Sequence, residues 1–303
     1  KKIIIILSIL LLLLLGITIY YFSFNSNNNK ITTTTTKPSI FITKGYSTKE
    51  VNEILKLSNT SQDLIESKEY LSYLYDLITY KYYIDSRLER YLNNYKDDIK
   101  TVVEKVNTNR DYEYFTNKKE ADLTKDELVL VNKYYYLTSN YAPNDLIKVK
   151  RGIGSIRKEA YDAYIIMYNA AKEDNINLYV LSSYRSYYSQ RSIYNNYVKQ
   201  RGVERTDRSS ARPGHSEHQA GFTLDFVVSG HSLGEFINSK EYRWLNTNSY
   251  KYGFILRYPK DKEGITGYMY EPWHYRYVGL DVAKYIHENN ITFDEYYAYF
   301  IEN

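Results

Sequence analysis

Behind Lys1-Lys2 the chain runs uncharged from Ile3 to Phe24. At ~1.5 Å per residue this stretch reaches roughly 33 Å as a helix, enough to cross a hydrocarbon core of ~30 Å. It is longer than the ~7 to 15 apolar residues of a cleaved signal peptide, and no small-x-small site follows it, so an uncleaved transmembrane signal anchor is expected at 1–24. The lysine pair before the run and the Tyr/Phe belt at its end orient it with the N-terminus cytoplasmic. The expected location is therefore the cell membrane, single-pass, with an extracellular body. Residues 25–44, rich in Asn and Thr, carry too little apolar surface for a core and read as a flexible stalk. From 45 to 126 the apolar and tyrosine positions recur at helical spacing. Ser47 followed by Glu50 forms a capping-box signature, helices are expected at 61–79 and 81–95, and a polar connector is expected from about 100 to 127. This region reads as a helical spacer without chemistry.

Beyond 127 the pattern changes to alternating element types. Ile156, Ala160, Ala163, Met167 and Ala170 step by four and three, predicting a helix over 155–172. Residues 177–183 read as a strand, 187–199 as a helix, and 222–228 as a second strand after a Gly/Pro/Ser-rich loop at 201–217. Residues 235–250 read as helix, 253–257 and 267–277 as extended, and 280–288 and 293–300 as closing helices. Helices interrupt the strands without a regular crossover repeat, which favours an α+β fold over a doubly wound α/β sheet. The expected organisation is an anchor at 1–24, a stalk at 25–44, a helical spacer at 45–126 and a catalytic domain at 127–303.

Composition then narrows the chemistry. The 303 residues contain no cysteine, which excludes disulfides, thiolate metal sites and a cysteine nucleophile. Any metal must sit on His, Asp or Glu, and there are only five histidines. The net charge of +4 is spread along the chain, so nucleic acid is not an expected partner. Nothing in the pattern implies an oligomer.

Two segments concentrate the remaining options: SSARPGHSEHQAGFTLDF, from Ser209 to Phe226, and EPWHYRYVG, from Glu271 to Gly279. They contribute His218 and Asp225, then Glu271 and His274. Two imidazoles and one carboxylate make the ligand set of a catalytic zinc, and the other carboxylate can serve as base. Side chains seven apart on an unbroken strand face opposite ways, so His218 and Asp225 converge only if Gln219-Ala220-Gly221 turns the chain. Pro272 disfavours ladder pairing, which lets Glu271 and His274 turn to one site. The spacing is not HExxH, and His215, His231 and His287 read as ordinary hydrogen-bonded or surface histidines. Ser155-Ile156-Arg157-Lys158 matches the S-x-x-K of serine D,D-peptidases, but no Lys-Thr-Gly follows it.

These two segments, with SSYRSYYSQ at 182–190 and GFILRYPKDKEGITGYMYEPWH at 253–274, resemble the VanY-type D-alanyl-D-alanine carboxypeptidases. That zinc peptidase family also holds L,D-carboxypeptidases and D,D-dipeptidases. The resemblance spans about 128–303. It implies a small, mainly antiparallel sheet flanked by helices with one zinc in a cleft, held by His218, Asp225 and His274, and Glu271 as general base. It further implies that Arg185 faces the substrate and stabilises the oxyanion, with Gln190 and Ser216 near the substrate carboxylate. The substrates it implies are peptidoglycan stem peptides, cut at a D,D bond or, alternatively, at the L,D bond of a tetrapeptide. Thr223 stands where relatives usually carry alanine, a departure that touches local packing. A wall-binding module with a dead site is the remaining alternative, and the four filled catalytic positions argue against it.

Overall fold

In the computed structural model, residues 36–96, 98–228 and 232–302 are described. The expected membrane helix at 1–24 and the first part of the stalk lie outside them. Among the described residues no helix is long and apolar enough to cross a membrane. Contacts divide the chain between Ile78 and Thr79 into two compact units.

The first unit is helical. Helices α1 (Lys37–Thr43), α2 (Thr48–Ile54), α3 (Asn59–Glu66) and α4 (Leu74–Ile78) are short and joined by turns. Helix α1 occupies the end of the stretch expected to be stalk. Pro38 sits in its first turn, and Phe41 is fully buried with its ring edge-on to Tyr46, so this segment has an apolar anchor that the polar composition conceals. Helix α2 carries the expected capping box, in which the Ser47 hydroxyl accepts from Glu50 N–H and the Ser47 N–H donates to the Glu50 carboxylate. A single helix over 61–79 does not form, because α3 ends at Glu66 and α4 begins only at Leu74.

The second unit begins well before residue 127. Helices α5 (Leu88–Asn94) and α6 (Ile99–Asn107) belong to it, and α6 occupies the start of the expected connector. Val102, Val103 and Val106 are buried on one face of α6, and that apolar stripe makes it part of a core instead of a linker. Arg87 donates to the Asn107 carbonyl and to Glu302 at the far end of the chain, and Arg110 donates to the Gly264 carbonyl. The boundary expected at 126/127 thus falls inside a packed unit.

Two small strand pairs precede the main sheet. Strands β1 (Lys119–Glu120) and β2 (Tyr135–Tyr136) pair in parallel, and β3 (Leu146–Lys148) pairs antiparallel with β4 (Ser155–Arg157). Strand β4 takes the first residues of the helix expected over 155–172. That helix, α7 (Lys158–Glu173), starts three residues later and buries Ala160, Tyr164, Met167, Tyr168 and Ala171, a stripe rotated from the predicted one. Pairing with β3, which lies outside the local window, overrides the helical spacing at Ile156.

The main sheet has the order β5–β6–β8–β7 and is antiparallel throughout. Its strands are β5 (Tyr179–Ser182), β6 (Thr223–Val227), β7 (Phe254–Leu256) and β8 (His274–Tyr277). Helix α8 (Tyr187–Arg201) follows β5, and a short α9 (Val203–Asp207) interrupts the expected loop. The helix expected over 235–250 is instead a 3-10 turn, Leu233–Asn238, then α10 (Lys240–Asn248), with Ser239 extended between them. Helix α11 (Glu263–Thr266) precedes the segment expected to be extended at 267–277, of which 267–273 is loop and only His274–Tyr277 is strand. Helices α12 (Leu280–Asn289) and α13 (Phe293–Phe300) close the chain, and the Thr292–Glu295 capping box starts α13.

Alternation along β6 sets up the site. Leu224 and Phe226 point into the core, where the Phe226 ring meets Tyr275 and Tyr164. Thr223 and Asp225 point to the other face. Tyr164 and Tyr275, two of the 38 tyrosines, are fully buried in this packing.

Candidate metal centre

Register brings the site together. Asp225 on the central strand β6 lies opposite His274 on β8 and opposite Ser182 on β5, so the side chains of Asp225 and His274 share one face at adjacent positions. His218 arrives by the turn the spacing requires: residues Glu217–Ala220 form a 3-10 turn, and Gly221 at φ +80° reverses the chain into β6. A Cβ at Gly221 would stand 2.9 Å from Arg157 Cγ and 3.1 Å from Pro143 Cγ, so both the conformation and the space demand glycine. Glu271 and His274 occupy a turn closed by the His274 N–H donating to the Glu271 carbonyl at 3.1 Å.

His218, Asp225 and His274 each turn a ligand atom to a common point, all within 4.8 Å of one another. His218 Nε2 lies 3.2 Å from Asp225 Oδ2, and His274 Nδ1 lies 3.2 Å from Asp225 Oδ1. Tetrahedral zinc with bonds of ~2.0 to 2.1 Å places its ligands about 3.3 Å apart, so the donor set fits. Two further observations agree. His218 Nδ1 donates to the Ser183 carbonyl at 2.7 Å, which leaves Nε2 bare and directed to the cluster. Asp225 Oδ1 is buried with no hydrogen-bond partner, a costly state that a bound cation relieves.

The electrostatics follow from burial and crowding. Burial pushes His218 down toward the neutral form that ligates metal. For Asp225 burial alone would raise the carboxyl, but His218 and His274 hold it well below the ordinary range. Burial also opposes charge on His274, yet the acceptors Asp225 and Glu217 outweigh it and raise the imidazole to about 9. Glu271 lies with Oε2 3.5 Å from His274 Nδ1, and burial raises its carboxyl to about 8. Asp225 and Glu271 thus have opposite proton affinities, as a permanent anion and a proton carrier would.

All seven residues singled out from the sequence line one cavity of about 440 Å³. Arg185 is held from two sides, donating from Nη1 to Gln190 Oε1 and from Nη2 to Ser182 Oγ, both at 2.7 Å. Its Nη2 stands 4.0 Å from Asp225 Oδ2. Gln190 also donates to the Ala211 carbonyl at 2.6 Å, so its amide braces Arg185 against the loop that forms the cavity wall. Ser216 is buried at the cavity edge. Along α8, Gln190, Ile193, Tyr197 and Arg201 follow helical spacing and line the same cavity. The other histidines stay apart. His215 Nδ1 donates to the Asn132 carbonyl, His287 stacks on Tyr250, and His231 lies outside the described residues.

Sequence reasoning missed the layer behind the ligands. Glu217, adjacent to His218, is fully enclosed and paired with Arg257 at 2.7 Å and Arg276 at 3.2 Å. Arg257 also binds Asp294 at 2.6 Å, and Asp294 accepts from Asn132 at 2.7 Å. Only Glu217 lies inside a site motif, next to His218, and no local spacing announces its partners.

Residues 154–280 match the family model described as VanY, D-alanyl-D-alanine carboxypeptidase. A D-alanyl-D-alanine carboxypeptidase of Enterococcus faecium is 30% identical over 252 residues, covering 77% of this chain and 77% of that protein. The chain belongs to the VanY D-alanyl-D-alanine carboxypeptidase family. Among solved structures, the LdcB LD-carboxypeptidase is 40% identical, with a TM-score of 0.57 over 61% of this chain and 91% of LdcB. A D,D-pentapeptidase VanY from a VanB-type vancomycin-resistance cassette, solved with Zn(II), is 34% identical, with a TM-score of 0.50 over 56% of this chain and 98% of that one. The VanY model covers both motif segments and every candidate site residue in them.

Proposed function

We propose that this chain is a zinc-dependent carboxypeptidase that removes the C-terminal D-alanine from peptidoglycan stem peptides. The observation that carries the reading is the convergence of His218, Asp225 and His274 beside the protonatable Glu271 in one cavity. Family membership and the zinc-bearing VanY relative support it. His218 Nε2, one Asp225 oxygen and His274 Nδ1 would hold a single zinc. When bound, that ion supplies Lewis acidity at the scissile carbonyl and lowers the pKa of water toward ~7.

The protein's own groups do the rest. Glu271 takes a proton from the attacking water on its carboxylate and returns it to the leaving amine nitrogen, a shuttle suited to a carboxyl whose affinity burial has raised. Arg185, oriented by Gln190 and Ser182, presents a fixed guanidinium to the negative charge that develops on the carbonyl oxygen. Its planar fork equally suits a substrate ending in a free carboxylate. Ser216 and the α8 face at Gln190 enclose the terminal residue. The apolar run Ile3–Phe24 supports a membrane anchor that holds this unit outside the cell.

A second reading has its own support. The higher identity and TM-score to LdcB favour an L,D-carboxypeptidase acting on tetrapeptide stems. Mass spectrometry of penta- and tetrapeptides incubated with the purified zinc-loaded protein tests both. Loss of one D-alanine from the pentapeptide, blocked by a chelator and not by penicillin, is expected. Cleavage of the tetrapeptide alone would favour the second reading, and cleavage of neither would overturn the function.

A further inference from the structure

His274 uses Nδ1 toward the ligand cluster, so its other nitrogen, Nε2, must carry the ring proton and needs an acceptor. Nε2 is buried, and the acidic oxygen nearest to it is Glu217 Oε2 at 3.5 Å. Neither atom has any other hydrogen-bond partner. Two buried polar atoms that face each other and are otherwise orphaned gain by closing a few tenths of an ångström, and leaving both unmade is expensive. The remaining Glu217 oxygen, Oε1, is occupied by Arg257 Nε at 2.7 Å and approached by Arg276 Nη1 at 3.2 Å. The carboxylate is therefore clamped from behind, with one oxygen held by cations and the other directed at His274. Position reinforces this, because Glu217 precedes the ligand His218 in the same 3-10 turn and Arg276 lies two residues beyond His274 on the same face of β8.

We propose that Glu217 is a positioning residue for the metal centre: its carboxylate accepts the His274 Nε2 proton, fixing the tautomer and ring angle that present Nδ1 to the metal. Arg257 and Arg276 hold that carboxylate in place, and Glu217 touches neither substrate nor reacting atoms. The inference rests on the zinc reading of the site. Partners of this kind behind a metal-bound histidine change metal affinity by about 10- to 100-fold when removed.

The test uses the full chain and reads zinc affinity by competition with a chromophoric chelator, the visible spectrum of the cobalt-substituted protein, and thermal unfolding of the metal-free form. Glu217→Asp keeps the anion near Arg257 and Arg276 but draws it back from His274. It is expected to fold, to bind zinc about 10-fold or more weakly, and to change the cobalt spectrum. Glu217→Gln is expected to weaken zinc at least as much. Because that change strips charge from a buried network, Glu217→Asp decides the matter if the glutamine variant does not fold. Asp294→Asn, which disturbs the same network from its far side, is expected to lower the unfolding temperature and leave zinc affinity within about threefold of wild type. Zinc affinity within about twofold of wild type in folded Glu217→Asp would overturn the inference. So would an Asp294→Asn protein that loses zinc as severely as the Glu217 variants, since the effect would then be general loosening. A wild-type chain that binds no zinc would instead bring down the reading of the site itself, and this inference with it.

Discussion

Acid should destabilise this fold through His215, three residues ahead of His218 in the candidate metal centre. The ring is 6% exposed, its Nδ1 donates to the Asn132 carbonyl, and it packs edge-on against Phe115 and near Tyr136. Burial lowers its pKa to about 4, with Lys118 and Arg212 adding to the effect and the Asn132 hydrogen bond and Asp207 opposing it. In the unfolded chain the imidazole titrates near ~6.5. Between those values the unfolded state binds the proton and the folded state does not, so stability falls as the pH drops from ~6.5 toward ~4. The span from ~6.5 to about 4, at ~1.4 kcal/mol per pH unit, caps the loss at about 3.5 kcal/mol, of which about 2 kcal/mol is lost by pH 5. Carboxylates in native ion pairs also lose stability in acid, so the contribution must be isolated as a difference. Urea unfolding of the metal-free protein and its His215→Gln variant at pH 7.5 and pH 5 supplies it. The variant should be less stable at pH 7.5, having lost a well-packed ring, and should then close the gap by about 2 kcal/mol at pH 5. A gap that stays constant between the two pH values would show that His215 is protonated freely in the folded state, contrary to its burial.

Three other substitutions probe the framework. Arg257→Met leaves Glu217 and Asp294 buried without their shared cation and should cost about 3 to 5 kcal/mol in urea unfolding; a loss under about 1 kcal/mol would contradict the network. Gly221→Ala forces a side chain into a left-handed backbone against Arg157 and Pro143 and should cost about 2 kcal/mol while weakening zinc retention, measured by unfolding and metal analysis. Arg185→Lys keeps the charge but loses the fork gripped by Gln190 and Ser182, so kcat should fall by about 10²- to 10³-fold with zinc content unchanged; an unchanged kcat would remove Arg185 from the chemistry.

How much of this was legible in the chain depended on whether the determining contacts were local. Helix α13 appears where expected because the Thr292–Glu295 capping box and helical spacing are both contained within ten residues. The meeting of His218 and Asp225 was foreseeable for a similar reason: the turn that joins them is written between them, in Ala220-Gly221. Strand β4 was hidden because Ile156 reads as the first step of a helix until β3 pairs with it. Helix α6 was hidden by the charged residues around its three buried valines. The network behind the His218–Asp225–His274 cluster was the least legible part. Arg257 meets Glu217 across 40 residues and Asp294 across 37, and neither separation carries any periodic trace.

The most direct test of the central claim is a paired measurement on purified wild type and Glu271→Ala: zinc content by elemental analysis, and D-alanine released from a stem pentapeptide. One zinc per chain is expected in both proteins, with release by the wild type only. A Glu271→Ala protein that retains full activity, or a wild type that releases D-alanine equally well after its metal is stripped, would contradict it.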